Sequence, residues 1–213
     1  RWYVFMSSQI GIDIRRTIYF FFRLPWFILD YYKFQKKNTT KLIFSPVLHD
    51  KLEESGSTNS EYFWQDLLVA RWINKANPRK HVDIGSRIDG FVSHVASFRE
   101  IEVFDIRPIN EKIPGVSFKQ ADLMTSNFLS KINEEYCDSL SCLHALEHFG
   151  LGRYGDPIDN QGSEKGLENM ASLIQKDGCF YLSLPIGQER VEFNANRVFD
   201  PHYIIKIAAK NSL

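Results

Sequence analysis

Hydrophobic positions in the middle of this chain alternate between two periods, and the alternation predicts the fold. Around Val82 and Ile84 a short apolar run ends at Gly85, after which Phe91, Val95 and Phe98 stand at i, i+4 and i+7. That pattern is a strand, a tight turn and a helix able to cover a sheet. The segment REIEVFDIRP then reads as a second strand closed by Asp105. The gap between the two is long enough for a right-handed crossover, which makes the strands parallel neighbours. VSFKQADL predicts a third strand ending near Asp122, SLSCLHA a fourth and CFYLSLPIG a fifth. Before the fifth, Leu167, Met170, Ala171 and Ile174 stand at i, i+3, i+4 and i+7, a helical face stopped by Gly178. A last helix is predicted over 203–209, just after Pro201 and His202. Five strands alternating with helices predict an α/β fold with a doubly wound, mostly parallel sheet.

Upstream, TNSE places Thr58 as a helix N-cap with Glu61 three residues on, and YFWQDLLVARWI continues as a helix until Pro78. This helix is apolar on most of its circumference, so it is predicted to lie between the sheet and a further element, the N-terminal segment. That segment, RRTIYFFFRLPWFILDYYKF, sets aromatic and aliphatic residues between Arg15 and Arg16 on one side and Lys33, Lys36 and Lys37 on the other. Arg23 and Pro25 interrupt it, which excludes the uninterrupted run of about 18 apolar residues that a spanning helix needs. Two readings stand: a helical lid packed on the domain, or an interfacial helix with basic and aromatic anchors that touches a membrane surface. Polar stretches bracket a short apolar piece at 42–48 and read as a linker. The predicted domains are a helical, aromatic extension with linker over 1–57 and the α/β domain over 58–213.

The 213 residues, 44% hydrophobic, can bury one substantial core, and 26 basic against 26 acidic residues leave no basic excess for nucleic acid. Cys137, Cys142 and Cys179 are odd in number and lack metal-ligand spacing, so they read as reduced core thiols in a reducing, cytoplasmic compartment.

Asp105 stands about 20 residues past the first strand, the place where a dinucleotide-type α/β fold puts an acid on a ribose. With VDIGS, EVFDIRP, the ADL after the third strand and HALEHF after the fourth, the chain over residues 80–187 resembles class I S-adenosylmethionine-dependent methyltransferases, a Rossmann-like fold. Through YFWQDLLVA, VDIGSRIDGF, HALEHFGLGRYGD and FNANRVF it is more closely similar to a methyltransferase-like group associated with surface-polysaccharide genes. The resemblance implies that Asp83, Gly85 and Ser86 form the cofactor turn, that Asp105 binds both ribose hydroxyls, and that Asp122 and Leu123 flank the adenine. It also places His144 near the cofactor. The chemistry agrees, since a carboxylate accepts two hydrogen bonds from a diol and backbone N–H groups at a turn meet the cofactor's carboxylate. Structural readings compete: Asp105 capping a turn before Pro108, and Asp122 capping a following helix. The chain departs from the family turn at Arg87 and Asp89, where glycines are usual. It also ends without room for the antiparallel strand pair that usually completes the fold, so the fold is abbreviated or the chain truncated.

HALEHF carries further chemistry. His148 is a candidate general base with Glu147 as its orienting partner. His144, Glu147 and His148 also match the HxxEH of inverted zinc peptidases, but the motif straddles a strand end, which spoils helical i, i+4 geometry, and no metal is expected. Gly150, Gly152 and Gly155 spell GxGxxG after the wrong strand, so they read as a substrate loop in which Arg153 pairs with a phosphate or carboxylate and Asp156 with a sugar hydroxyl. Glu192, Asn194 and Arg197 in QERVEFNANRVF either line the same mouth or form a solvated connection.

The expected function is S-adenosylmethionine-dependent methyl transfer to a small polar acceptor, a sugar or nucleotide sugar. The alternatives are a noncatalytic Rossmann-like binding or scaffold domain and, third, a nicotinamide-dependent oxidoreductase.

Overall fold

The computed structural model describes residues 7, 11, 13–36, 38–48, 56, 58–125, 135–211 and 213. Lys37 and much of the predicted linker lie outside them. The chain divides into two compact units, Arg1–Thr58 and Asn59–Leu213.

In the first unit, α1 (Ile14–Gln35) is capped by Asp13, whose side chain accepts from the Arg16 N–H at 3.1 Å, and carries Pro25 inside it. Phe27 and Tyr31 pack edge-on against Phe44 at 5.2 and 5.4 Å between ring centroids. No residue of α1 is buried, and Phe22 is 75% exposed. Among the described residues no helix is long and apolar enough to cross a membrane.

The second unit opens with α2 (Glu61–Ala76). Ser60 caps it, Oγ accepting from the Tyr62 N–H at 3.2 Å, so the cap falls two residues beyond Thr58. The strands β1 (His81–Ile84), β2 (Ile101–Asp105), β3 (Val116–Gln120), β4 (Cys137–Leu143) and β5 (Ile174–Ser183) form one sheet. Its order is β3-β2-β1-β4-β5, with every pairing parallel. This is a doubly wound, Rossmann-like α/β fold. The chain leaves β1 toward β2 and β3 and returns on the other side with β4, so a crevice opens beyond the carboxyl ends of β1 and β4.

Alternation along the strands builds two apolar layers. Val82, Ile84, Phe104, Leu140 and Cys142 face α4 (Gly162–Leu173), which contributes Leu167, Met170 and Leu173. Ile101, Val103 and Leu143 face α2, through Val69, Ala70 and Ile73, and α3, through Phe91, Val92 and Val95. Helix α3 is a π-turn, Ile88–Val92, running into Ser93–Ala96, and it ends before Phe98, which is left in an exposed turn instead of on the helical face. Only one side of α2 is buried; Trp64, Leu68 and Trp72 are exposed.

Three expectations change at the end of the chain. Helix α4 stops at Leu173, and Ile174 pairs with Cys137 on β4. Its β-branched side chain satisfied the helical spacing and the strand equally well. Gly178 lies within the irregular start of β5. After β5 the chain does form an antiparallel pair, β6 (Arg190–Glu192) with β7 (Asn196–Val198), but as a separate two-stranded sheet. Helix α5 (Pro201–Lys210) begins at Pro201 itself, capped by Asp200. Cys137 and Cys142 are buried free thiols, whereas Cys179 is exposed.

Candidate functional site

A cavity of about 730 Å³ lies over the carboxyl ends of β1, β2 and β4. Its floor is the turn after β1. Gly85 has φ +72°, its N–H donates to the Phe104 carbonyl at 2.9 Å, and a Cβ there would sit 2.8 Å from Ala145 Cβ. Both the backbone conformation and the close approach exclude a side chain. Asp83 does not line the cavity. It is fully buried beneath the turn, accepting from the Ser86 N–H at 3.0 Å and from Ser86 Oγ at 2.8 Å. Ser141 Oγ donates to it at 2.5 Å, and the chain continues through His81, whose Nε2 is 3.2 Å from Ser141 Oγ and Nδ1 2.8 Å from Ser139 Oγ. Burial raises the Asp83 carboxyl to about 6 and lowers the His81 imidazole to about 3. This polar ladder between β1 and β4 fixes the strand that carries the turn.

Asp105 closes β2 at the cavity wall. Arg107 forks onto it, Nε to Oδ1 at 2.9 Å and Nη2 to Oδ2 at 2.6 Å, while the Arg107 N–H also donates to Oδ1 at 2.8 Å. A carboxylate offers about four lone-pair sites, and with two donors on Oδ1 and one on Oδ2 a single site on Oδ2 stays open to a ribose hydroxyl. The same guanidinium lies 4.5 Å from the centroid of Tyr154. Asp122, which accepts from the Met124 N–H at 2.8 Å, and the buried Leu123 complete this end. Arg87 does not fill the turn; it pairs with Asp89 at 2.6 Å, and both side chains are exposed at the rim.

At the opposite end, His144 takes a left-handed conformation, φ +52°, just after β4. Its Nδ1 is 3.1 Å from Glu147 Oε1, and its ring meets Tyr62 edge-on at 4.7 Å. Glu147 is 2% exposed, and among the described residues its Oε2 has no hydrogen-bond partner. The orienting partner of His148 is the backbone: Nδ1 lies 2.7 Å from the Ala195 carbonyl, while Nε2 is 3.9 Å from Glu147 Oε1. A carbonyl only accepts, so Nδ1 carries the proton and Nε2 presents a lone pair. Burial holds this imidazole below its ordinary value, against the opposing pull of Glu147. His144 precedes a 3-10 turn, Leu146–His148, so the two histidines do not share a helical face.

The glycine loop is pinned in place. Asp156 accepts from the N–H groups of Gly152 and Tyr154, both at 3.1 Å, and a Cβ on Gly150 would strike the Asp159 backbone. Arg153 lines the cavity and donates to the same Ala195 carbonyl at 2.8 Å. Asn194 and Arg197 stand elsewhere: Asn194 is exposed on the hairpin turn, and Arg197 is buried, donating to the carbonyls of Phe149 and Asp159. Glu192 is exposed and paired with Arg190 at 2.9 Å. The hairpin offers Asn196 to the cavity instead. Sequence reasoning also passed over Tyr62, Asp66, Arg107 and Tyr154, which line it. Arg107 carries a readable signal, since an arginine two residues after a strand-end acid can fork back onto it.

A family model described as "Caenorhabditis protein of unknown function, DUF268" matches residues 97–208, more than half of the 213. The chain belongs to the DUF268 family. The match runs from the turn before β2 into α5, so it takes in Asp105, His144, Glu147 and His148 and leaves out the Gly85 turn. No curated protein matches this DUF268 chain. Similar solved structures include a Burkholderia thailandensis 1,6-didemethyltoxoflavin-N1-methyltransferase with bound 1,6-didemethyltoxoflavin and S-adenosylhomocysteine. It is 13% identical over 70% of this chain and 67% of that one, with a TM-score of 0.48. CalS10, an amino pentose methyltransferase from Micromonospora echinaspora with bound SAM, is 15% identical over 62% and 55%, TM-score 0.47. The trans-methyltransferase CalH, in complex with SAH, is 14% identical over 57% and 37%, TM-score 0.42. The chain thus spans less than two thirds of the length of the last two.

Proposed function

We propose that this chain transfers a methyl group from S-adenosylmethionine to a hydroxyl of a small polar acceptor, a sugar or nucleotide sugar. The observation that carries the reading is the arrangement of one cavity. A glycine turn too tight for any Cβ, an acid closing the neighbouring strand and an imidazole with a free Nε2 all meet it. Charge supports a cationic cofactor, because six carboxylates (Asp66, Asp89, Asp105, Asp122, Glu147, Asp156) line the cavity against three guanidiniums (Arg87, Arg107, Arg153).

The Gly85 turn, bare of any Cβ, would let the cofactor's amino-acid end approach the backbone, Asp105 would hold a ribose hydroxyl through the lone pair left open on Oδ2, and Asp122 with Leu123 would flank the adenine edge. When bound, the cofactor supplies an electrophilic methyl group on a sulfonium. His148 Nε2 takes the acceptor's hydroxyl proton, and the Ala195 carbonyl stabilises the charged imidazolium through Nδ1. Arg153, at the mouth, suits an anionic substituent such as a phosphate. Alignment of the two reactants and this base are what the protein contributes.

Calorimetric titration with S-adenosylhomocysteine, alongside Asp105→Ala, tests the reading. Micromolar binding weakened about tenfold or more in the variant is expected from the loss of a charge-assisted hydrogen bond. A folded protein that binds nothing would leave a noncatalytic binding domain as the better account.

A further inference from the structure

The least settled group in the cavity is Glu147. A buried carboxylate normally has each oxygen paired, and an ionised group left short of partners carries a large desolvation cost. Here Oε1 is held by His144, while Oε2 is shielded from solvent and has no partner among the described residues. The basic groups within ion-pair reach are two imidazoles, at 3.1 and 3.9 Å, both on the Oε1 side, and burial keeps that of His148 disposed to stay neutral. No lysine or arginine pairs with Glu147 among the described residues.

We propose that Glu147 Oε2 receives a ligand ammonium, the α-amino group of the S-adenosyl amino acid. The assignment rests on the cofactor reading above and gives that cofactor its second anchor. Sheet order supplies the placement. Asp105 ends β2 and Glu147 follows β4, with β1 and the Gly85 turn between them. Neighbouring strands lie about 4.8 Å apart, so the ends of β2 and β4 stand roughly 10 Å apart across the crevice. A ribose on Asp105 therefore extends its amino-acid chain over Gly85 toward β4, where Ala145 touches the turn and Glu147 lies two residues on. The preference for a cation over a neutral hydroxyl follows from the surroundings. Asp66 lines the same cavity, and the rim guanidiniums of Arg87 and Arg107 are spent on Asp89 and Asp105. His148, by contrast, keeps the acceptor hydroxyl.

The test is a cycle of two ligands and two proteins, read by calorimetry. The full chain and Glu147→Gln are titrated with S-adenosylhomocysteine and with its desamino analogue, which lacks only the ammonium. Glutamine keeps an oxygen for His144 and removes the charge. The wild type is expected to bind the amino ligand about tenfold to a hundredfold more tightly than the desamino one, the range of a charge-assisted hydrogen bond. E147Q is expected to bind the two within about twofold of each other. Discrimination retained in E147Q overturns the assignment, as does equal binding of both ligands by the wild type. Discrimination that disappears in Asp66→Asn and persists in E147Q moves the ammonium to Asp66 and also overturns it. If neither ligand binds the wild type, the cofactor reading itself fails and the assignment falls with it. Should E147Q not fold, Glu147→Asp decides: its shorter arm must narrow the discrimination, and unchanged discrimination counts against the proposal.

Discussion

The ladder under the cofactor turn makes a stability prediction with a defined sign and slope. His81 is 2% exposed and lies against Phe91 and Tyr181, and burial, aided by the positive charge of Arg99, lowers its pKa to about 3. An unfolded chain protonates its histidine near pH 6.5, whereas the folded chain refuses that proton until about pH 3. The stability contributed by neutral His81 is therefore complete above about pH 6.5 and is lost as the pH falls, at about 1.4 kcal/mol per pH unit. Asp83 acts in the opposite sense. Its folded carboxyl titrates at about 6 against roughly 3.9 unfolded, so its contribution is complete below about pH 4 and is lost as the pH rises to about 6. Between roughly pH 6 and pH 4 the two slopes offset each other. His81→Gln removes one of them and leaves a polar partner for Ser139 and Ser141. Denaturant unfolding of both proteins from about pH 7.5 to about pH 4.5 should show the variant gaining about 3 kcal/mol on the wild type across that span, whatever the offset at neutral pH. A difference that stays flat with pH would refute the claim that the folded chain holds His81 neutral.

Gly85→Ala should cost about 2–4 kcal/mol, from the left-handed backbone and the contact with Ala145; a midpoint shift under about 2 °C in thermal unfolding would contradict it. Arg197→Ala strands the carbonyls of Phe149 and Asp159 and should lower denaturant stability by about 2–4 kcal/mol, while S-adenosylhomocysteine affinity changes less than about threefold. His148→Ala should reduce methyl transfer by roughly 10²–10⁴ with cofactor affinity unchanged. Because burial holds His148 below its ordinary value, the acid limb of the wild-type kcat/KM profile should have its midpoint below about pH 6.5.

Much of the sheet was legible because alternation in β1, β2 and β4 places side chains on two apolar layers, and runs such as HVDI and IEVFD that are buried on both faces leave few other options. The cavity's landmarks at Gly85 and Asp105 were legible for the same reason, since both end strands. What escaped depended on distances that spacing does not encode. Adjacency suggested Glu147 as the partner of His148, yet the turn after β4 brings together residues three apart, so the carboxylate meets His144. Arg197 and Asn196 were exchanged because a three-residue strand is too short to reveal which side chain faces inward. Arg107 was overlooked because its partner lies two residues back, where extended-chain thinking puts side chains side by side and not in a fork.

One backbone atom at the hairpin tip reaches further than its size suggests. The Ala195 carbonyl takes hydrogen bonds from both His148 and Arg153 and belongs to a turn held by Ala195 N–H to the Glu192 carbonyl at 2.6 Å. No side chain at position 195 is involved, so substitution there is invisible to the base, whereas gaining or losing one residue between β6 and β7 would withdraw the oxygen from both donors at once. In this hairpin, length sets the position of the shared acceptor, and the side chain at 195 does not.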